Sequence, residues 1–352
     1  MWSSEADVEL LDAGSVRLLP LLYRNLKRLG IEPDAMEKFK GTYRLTWYKN
    51  QMLLRSFSGL LKRFNDSGIR TLVLKGVPLI LLYYKDLGLS PMQDMDLLVP
   101  TEQAMEAVGL LSRLGWRLKP DGPLKEVSEE LLSILHGEAF LDESVNQLDL
   151  HWHVLAECCY EGADDEWWEG SRTFEVQGVP TRALNPTDTL FQICVHGTFW
   201  SPVPPLRWVA DAMLVIRESG EDLDWERLVA QAERRRLVEQ LRNTLGYLRS
   251  LLDAPVPLSV IERLEAMPVS AVERWEYGVR GQPPGLSGAL LPNWFLFLRS
   301  SQLARPTLIR PRLRGFTSFL KTVWGVESLW RVPVEFLRKG LGRIGLSVAR
   351  RR

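Results

Sequence analysis

The chain has 352 residues, 45% hydrophobic and 25% charged, with 44 basic and 44 acidic side chains. That balance excludes a disordered chain, and the length suits about two domains with a full core. Three cysteines cannot make a disulfide framework, MWSSEADVEL lacks a secretory leader, and no apolar run approaches the ~18 residues of a spanning helix; a cytoplasmic protein is expected. The formal net charge of zero hides an asymmetry. Residues 299–352 carry thirteen Lys/Arg against Glu327 and Glu335, a net +11, which leaves residues 1–298 at −11.

Helices come first. Leu18, Leu19, Leu22, Leu26 and Leu29 recur at helical spacing until LGIEPD ends the run, and a second run spans 43–64 before NDSG. TLVLK (71–75) reads as a short buried strand. Gly76 follows, and VPLILLYYK opens a helix with Pro78 in its first turn, where a missing N–H is no loss. DMDLLVP is a second strand, ending at Pro100; Thr101 is expected to cap the next helix, with Glu102 in its first turn and Gly115 as its stop. EAFLD and NQLDLHWHVL, separated by ESV, predict a β-hairpin, and TFEV and PTRAL around Gln177 and Gly178 predict another. Asn185 before Pro186 starts a helix, Pro205 and Leu206 open the next, and residues 224–252 supply one or two more. Residues 281–293 read as a Gly/Pro-rich linker.

Strand alternation sorts the side chains of the centre. On 94–99, Asp94 and Asp96 point one way, and Met95, Leu97 and Val99 the other. On 148–154, Asp149, His151 and His153 share one face, opposite Leu148, Leu150, Trp152 and Val154. If the two strands are neighbours, Asp94, Asp96 and Asp149 converge. Clustered carboxylates raise each other's pKa unless a cation sits among them, and hard oxygen ligands suit Mg²⁺ or Mn²⁺. The other reading is a solvent-facing edge of an ordinary amphipathic strand, and D-x-D spacing alone does not choose between them.

The ordered set LVLKG (72–76), SPMQDMDLLV (90–99), LDLHWHVL (148–155), LNPTDTLFQICVH (184–196) and LRWVADAMLV (206–215) resembles the DNA polymerase beta-like nucleotidyltransferases, in particular the bacterial branch of uncharacterised nucleotidyltransferases. The resemblance implies an α+β fold, a small mixed β-sheet core flanked by N-terminal helices and a C-terminal helical domain. The matching residues span roughly 18–250, and the chain is expected to divide into a helical segment (1–66), a nucleotidyltransferase α/β core (67–184), a helical domain (185–280) and a Gly/Pro linker with a basic C-terminal segment (281–352). The resemblance also implies a two-metal enzyme that moves an NMP from an NTP, such as ATP, to a hydroxyl or phosphate acceptor with release of pyrophosphate. Asp94 and Asp96 would bind the metals, Asp149 would be the third carboxylate, and Gly76 would let the triphosphate approach the backbone.

The resemblance places Lys75, Gly76 and Ser90 among the nucleotide-binding residues, but Ser90 is a departure, since the family usually has Arg before this proline; triphosphate binding would then be weaker, use Lys75 or Lys85 instead, or reflect a changed substrate. His151 shares the face of Asp149 and is expected to orient it or contact phosphate, and His196 to face the cleft. His153, the three cysteines and a surface Arg207–Asp211 pair are expected to be structural. The acceptor is open among a sugar, a small molecule, a peptide and a protein. The acidic body argues against a nucleic-acid groove, and residues 335–352 are expected either to fold back on that body or to touch an anionic surface. Transfer of another nucleotide-linked group, such as a sugar, and a non-catalytic binding module are the alternative readings.

Overall fold

The computed structural model describes residues 11–120, 124, 126–198, 206–282, 290–304, 313–326 and 328–334. Helix α1 (Ala13–Val16) starts on Asp12, whose Oδ1 accepts from the amides of Gly14 and Ser15 at 2.8 and 3.1 Å. Helix α2 (Leu19–Leu29) ends where Gly30 takes a left-handed φ of +67°. Helix α3 (Met36–Asp66) begins seven residues before the run read from the sequence. Its buried stripe of Phe39, Thr46, Asn50, Leu54, Phe57, Leu61 and Phe64 contains two polar residues. An apolar-only pattern therefore loses its first half.

Seven strands form one mixed sheet among the described residues: β1 (Leu72–Leu74), β2 (Asp94–Leu98), β3 (Arg117–Leu118), β4 (Gly137–Leu141), β5 (Gln147–His151), β6 (Arg172–Val176) and β7 (Val179–Ala183). Their spatial order is β3-β4-β5-β2-β1-β7-β6. The central strand β2 runs antiparallel to β1 and parallel to β5. Helix α4 joins β1 to β2; its α-helical turn Gly76–Pro78 widens into a π-helical stretch, Leu79–Tyr84, closed by the Lys85 amide donating to Ile80 O at 2.8 Å. Both predicted hairpins form, as β4–β5 and β6–β7.

Three local readings are corrected. Thr101 does not cap helix α5 (Ala104–Arg113): its hydroxyl donates to Trp152 O at 2.9 Å, tying the helix start to the end of β5. Strand β5 stops at His151 rather than continuing to 154, because the Trp152 and His153 amides both turn to His136 O. The His153 ring is thereby taken off the carboxylate face, packed between Asp164 Oδ2 (2.7 Å) and Leu132 O (2.9 Å). Its structural role holds. The linker is also shorter than expected, since residues 290–293 are helical.

Short helices α6 (Glu129–Leu132) and α7 (Asp165–Glu169) precede the C-terminal helices. Helix α8 (Pro186–His196) is capped by Asn185, whose side chain accepts from Asp188 N at 2.9 Å, and its residues 186–195 are all buried. Helices α9 (Arg207–Ser219), α10 (Trp225–Arg235), α11 (Val238–Leu252), α12 (Leu258–Ala266) and α13 (Ala271–Arg280) follow, and one buried apolar cluster runs from Leu54 to Leu264. Helices α14 (Leu290–Ala304) and α15 (Leu313–Val323) lie in the segment read as linker and basic tail. Arg299, counted with that tail, is buried. It forms a two-oxygen ion pair with Glu276 (2.7 and 3.0 Å) and donates to Arg235 O and Arg236 O. Residues 335–352 lie outside the described residues. No helix among the described residues is long and apolar enough to cross a membrane.

Candidate functional site

Strand pairing builds the site. In the parallel β2–β5 register, Asp94 lies beside Gln147, Asp96 beside Asp149, and Leu98 beside His151. Alternation then leaves Asp94, Asp96, Gln147, Asp149 and His151 on one face, backed by Met95, Leu97, Leu148 and Leu150, all fully buried. One ligand atom from each of Asp96, Asp149 and His151 lies within 4.8 Å of the others. Asp94 stands outside that triplet.

Asp96 is at the centre. Its Oδ1 accepts from Lys75 Nζ at 2.6 Å and pairs with His151 Nε2 at 3.1 Å. His151 therefore contacts Asp96 rather than Asp149, which instead takes a 2.8 Å hydrogen bond from Gln147 Nε2. Burial alone would raise the Asp96 carboxyl, but the Lys75 ammonium and His151 hold it below the usual carboxylate range. Asp94 behaves oppositely: burial, then the charges of Asp96 and Asp149, push it up to about 6. The cluster carries more negative charge than its one close ammonium compensates.

Lys75 reaches Asp96 from an unusual backbone position, φ +52° and ψ −116°, which an L-residue holds at a cost of about 1–3 kcal/mol. That turn makes Gly76 the first residue of α4. A Cβ on Gly76 would sit 3.1 Å from Met92 Cγ, so the residue is packed against the loop before β2. Lys85, the other cation considered for phosphate, pairs with Glu218 at 3.1 Å on the surface and lines no part of the site.

A cleft of about 460 Å³ opens over Asp94 and Asp96, walled by Lys75, Gly76, α8 and α9. His196 lines it at the exposed end of α8; partial enclosure of the ring and then the Lys75 charge lower its pKa below the ordinary 6.5, which favours the neutral ring at pH 7. Ser90 does not line it. It is buried, its backbone carbonyl accepts from Asn50 Nδ2 at 2.9 Å, and its hydroxyl has no hydrogen-bond partner. The expectation that its side chain takes part in phosphate binding is at odds with that position. Asn50 pins the whole loop, donating also to Leu87 O (2.7 Å) and accepting from Met92 N (3.1 Å).

Two arginines complete the wall. Arg207 Nη1 donates to Pro91 O at 2.7 Å and its Nε lies 3.4 Å from Asp211. The pair is not a surface one: Asp211 is 5% exposed and also accepts from Tyr84 OH at 2.7 Å. Arg17, between α1 and α2, donates to Gln93 Oε1 at 2.6 Å. Sequence reading missed Arg17, Asn50 and Gln147. Only Asn50 had a local signal, a polar residue on the buried stripe of an amphipathic helix. The cysteines are buried and reduced, and burial pushes Cys158 and Cys194 up to about 12.

The profile of the uncharacterised nucleotidyltransferase family matches residues 13–253, from α1 through α11 and including every strand of the sheet. The chain belongs to the uncharacterised nucleotidyltransferase family. Membership carries a general nucleotidyltransferase role. Among solved structures, the chain is similar to an antigenic nucleotidyltransferase-like protein from Paracoccidioides brasiliensis, at 11% identity and a TM-score of 0.35, over 62% of this chain and 94% of that one. At that score the likeness adds nothing to the family assignment. No curated protein matches in sequence.

Proposed function

We propose that this nucleotidyltransferase family member is a metal-dependent enzyme that moves an NMP from an NTP to a hydroxyl or phosphate acceptor, with release of pyrophosphate. The observation that carries the reading is the β2–β5 register, which sets Asp96 beside Asp149 on a face that also holds Asp94, under a cleft. The donor set fits Mg²⁺ or Mn²⁺: three carboxylates supply hard oxygens, and burial together with the Asp96 and Asp149 charges pushes the Asp94 carboxyl up to about 6, a cost that a bound cation would relieve. Asp96 and Asp149 would hold the ions, with Asp94 completing the set. Divalent ions bound there supply the charge that neutralises phosphate and lowers the pKa of an attacking hydroxyl, the basis of two-metal phosphoryl transfer.

The chain's own residues do the rest. Gln147 holds Asp149 through its 2.8 Å hydrogen bond to Oδ1, and in this reading the Asp149 carboxylate accepts the proton of the incoming hydroxyl. His151 orients Asp96 through its 3.1 Å contact. Lys75 supplies the counter-charge of the ion-free cluster, and His196 lines the cleft beside it. Three free cysteines fit a reducing cytoplasm, and the acceptor is a sugar, small molecule, peptide or protein.

The test is incubation of purified protein with each α-labelled NTP, Mn²⁺ and a metabolite and protein extract. Label transfer with pyrophosphate release, lost in Asp96→Asn, is expected. Transfer from nucleotide-sugars but from no NTP would replace this reading with glycosyl transfer.

A further inference from the structure

Residues 86–93 of the loop between α4 and β2 carry no cation, and Ser90 within it is buried. Two guanidinium groups nevertheless reach that loop from distant parts of the chain. Arg17 binds the Gln93 side chain and Arg207 the Pro91 carbonyl, so together they flank the three residues immediately before Asp94. Both line the cleft. Each is aimed by a separate device: Arg207 by Asp211, itself held by Tyr84 OH, and Arg17 by the turn between α1 and α2.

We propose that Arg17 and Arg207 form the subsite for the phosphate chain of the nucleotide, supplying from two distant helical segments the cationic grip that the Ser90 loop lacks.

The charge pattern supports this. The ionised groups lining the cleft are Arg17, Lys75 and Arg207 against Asp94, Asp96 and Asp211, with His196 neutral. Without ions the lining is balanced, and Lys75 is already committed to Asp96 at 2.6 Å. Loading divalent ions on the carboxylates turns the cleft positive, which suits a polyanionic triphosphate rather than a neutral substrate. The two arginines are also close enough to repel: burial, then the Arg207 charge, lower the pKa of Arg17. An anion between them removes that repulsion, and the planar, multi-donor guanidinium matches phosphate oxygens. The substrate class comes from the nucleotidyl-transfer reading above.

The probe is inorganic tripolyphosphate, titrated calorimetrically into the full chain in saturating Mn²⁺, with Mn²⁺ binding itself read separately by electron paramagnetic resonance. Arg17→Gln and Arg207→Gln should each weaken tripolyphosphate by about 10- to 100-fold, the range of a charge-assisted hydrogen bond. Mn²⁺ affinity should stay within about twofold, since neither arginine is a ligand. Arg17→Lys should recover part of the loss, which a purely structural role would not produce. Arg17→Gln is the decisive variant because the Arg17 side chain binds Gln93 at the exposed rim of the cleft rather than a group in the core. Wild-type-like tripolyphosphate affinity in Arg17→Gln with Mn²⁺ binding retained overturns the subsite, as does a wild type that binds no tripolyphosphate. Arginine-dependent binding without transfer from any NTP keeps the subsite and removes nucleotidyl transfer; transfer with unchanged KM in both variants does the reverse.

Discussion

Asp94→Asn separates the stability of the carboxylate cluster from its function. In the ion-free protein the Asp94 carboxyl is raised from the ordinary 3.8 to about 6, first by burial and then by Asp96 and Asp149. Each tenfold change in proton affinity is 1.36 kcal/mol, so the ionised form opposes folding by at most about 3 kcal/mol well above pH 6. Asp94 is only partly buried, and screening reduces that to about 1–3 kcal/mol. The sign follows from a raised carboxyl: the folded state holds the proton more tightly than the unfolded chain. Stability is therefore gained as pH falls from 7.5 through 6 toward 3.8. Asparagine removes the charge with little change of volume, so in EDTA at pH 7.5 the variant should be more stable than wild type by about 1–3 kcal/mol, and the two should converge near pH 4. Urea unfolding monitored by tryptophan fluorescence between pH 4 and 8 measures the difference directly. With Mn²⁺ at about 100 times its Kd the order should narrow or invert, because wild type alone gains the full ~2.7 kcal/mol of linkage. A variant equal to or less stable than wild type at pH 7.5 in EDTA would falsify the view that this cluster is short of positive charge.

Asp149→Asn should lower nucleotidyl transfer by at least about 100-fold while leaving the thermal midpoint within a few degrees, and a loss below tenfold would remove its role as proton acceptor. Asn50→Ala deletes three hydrogen bonds, two of them buried (with Ser90 O and Met92 N) and one part-buried (to Leu87 O). It should cost about 2–4 kcal/mol in chemical denaturation, and a cost under 1 kcal/mol would mean the loop is held by something else. Ser90→Ala should be neutral or stabilising by up to about 1 kcal/mol, since it removes a buried hydroxyl without a partner. Ser90→Arg, in contrast, buries a guanidinium and should destabilise by more than about 3 kcal/mol; tighter nucleotide binding in a stable Ser90→Arg protein would return this position to the cleft.

Much of the local structure was legible because its causes are local. Alternation on 94–99 and 148–154 sorted acids from aliphatics as far as His151, where β5 ends, and the Asn185-Pro186 start and the Gln177-Gly178 turn are short-range steric and hydrogen-bonding signals. Where the signal was read too narrowly, the fold differed. Helix α3 began earlier because Thr46 and Asn50 share its buried stripe, and Thr101 spent its hydroxyl on Trp152 O rather than on its own helix.

By itself, then, the sequence determined which side chains lie on a common strand face, where the main helices and hairpins lie, and, through an ordered set of motifs, the family. It could not determine which strands are neighbours. The β2–β5 pairing spans more than fifty residues, and a parallel pair joined by so long a crossover leaves no turn signature between its strands. That pairing alone sets Asp96 beside Asp149 and directs His151 to Asp96. The cations of the cleft were equally hidden, because Arg17 and Arg207 reach one loop with guanidinium groups carried across the fold, while Ser90, inside that loop, is buried and its carbonyl is held by Asn50. Arg299 shows the same limit: a charge counted in a basic tail is buried against Glu276 once α13 and α14 pack together. Pattern follows from neighbours along the chain, whereas charge pairing and burial follow from distance in space, which only the tertiary structure sets.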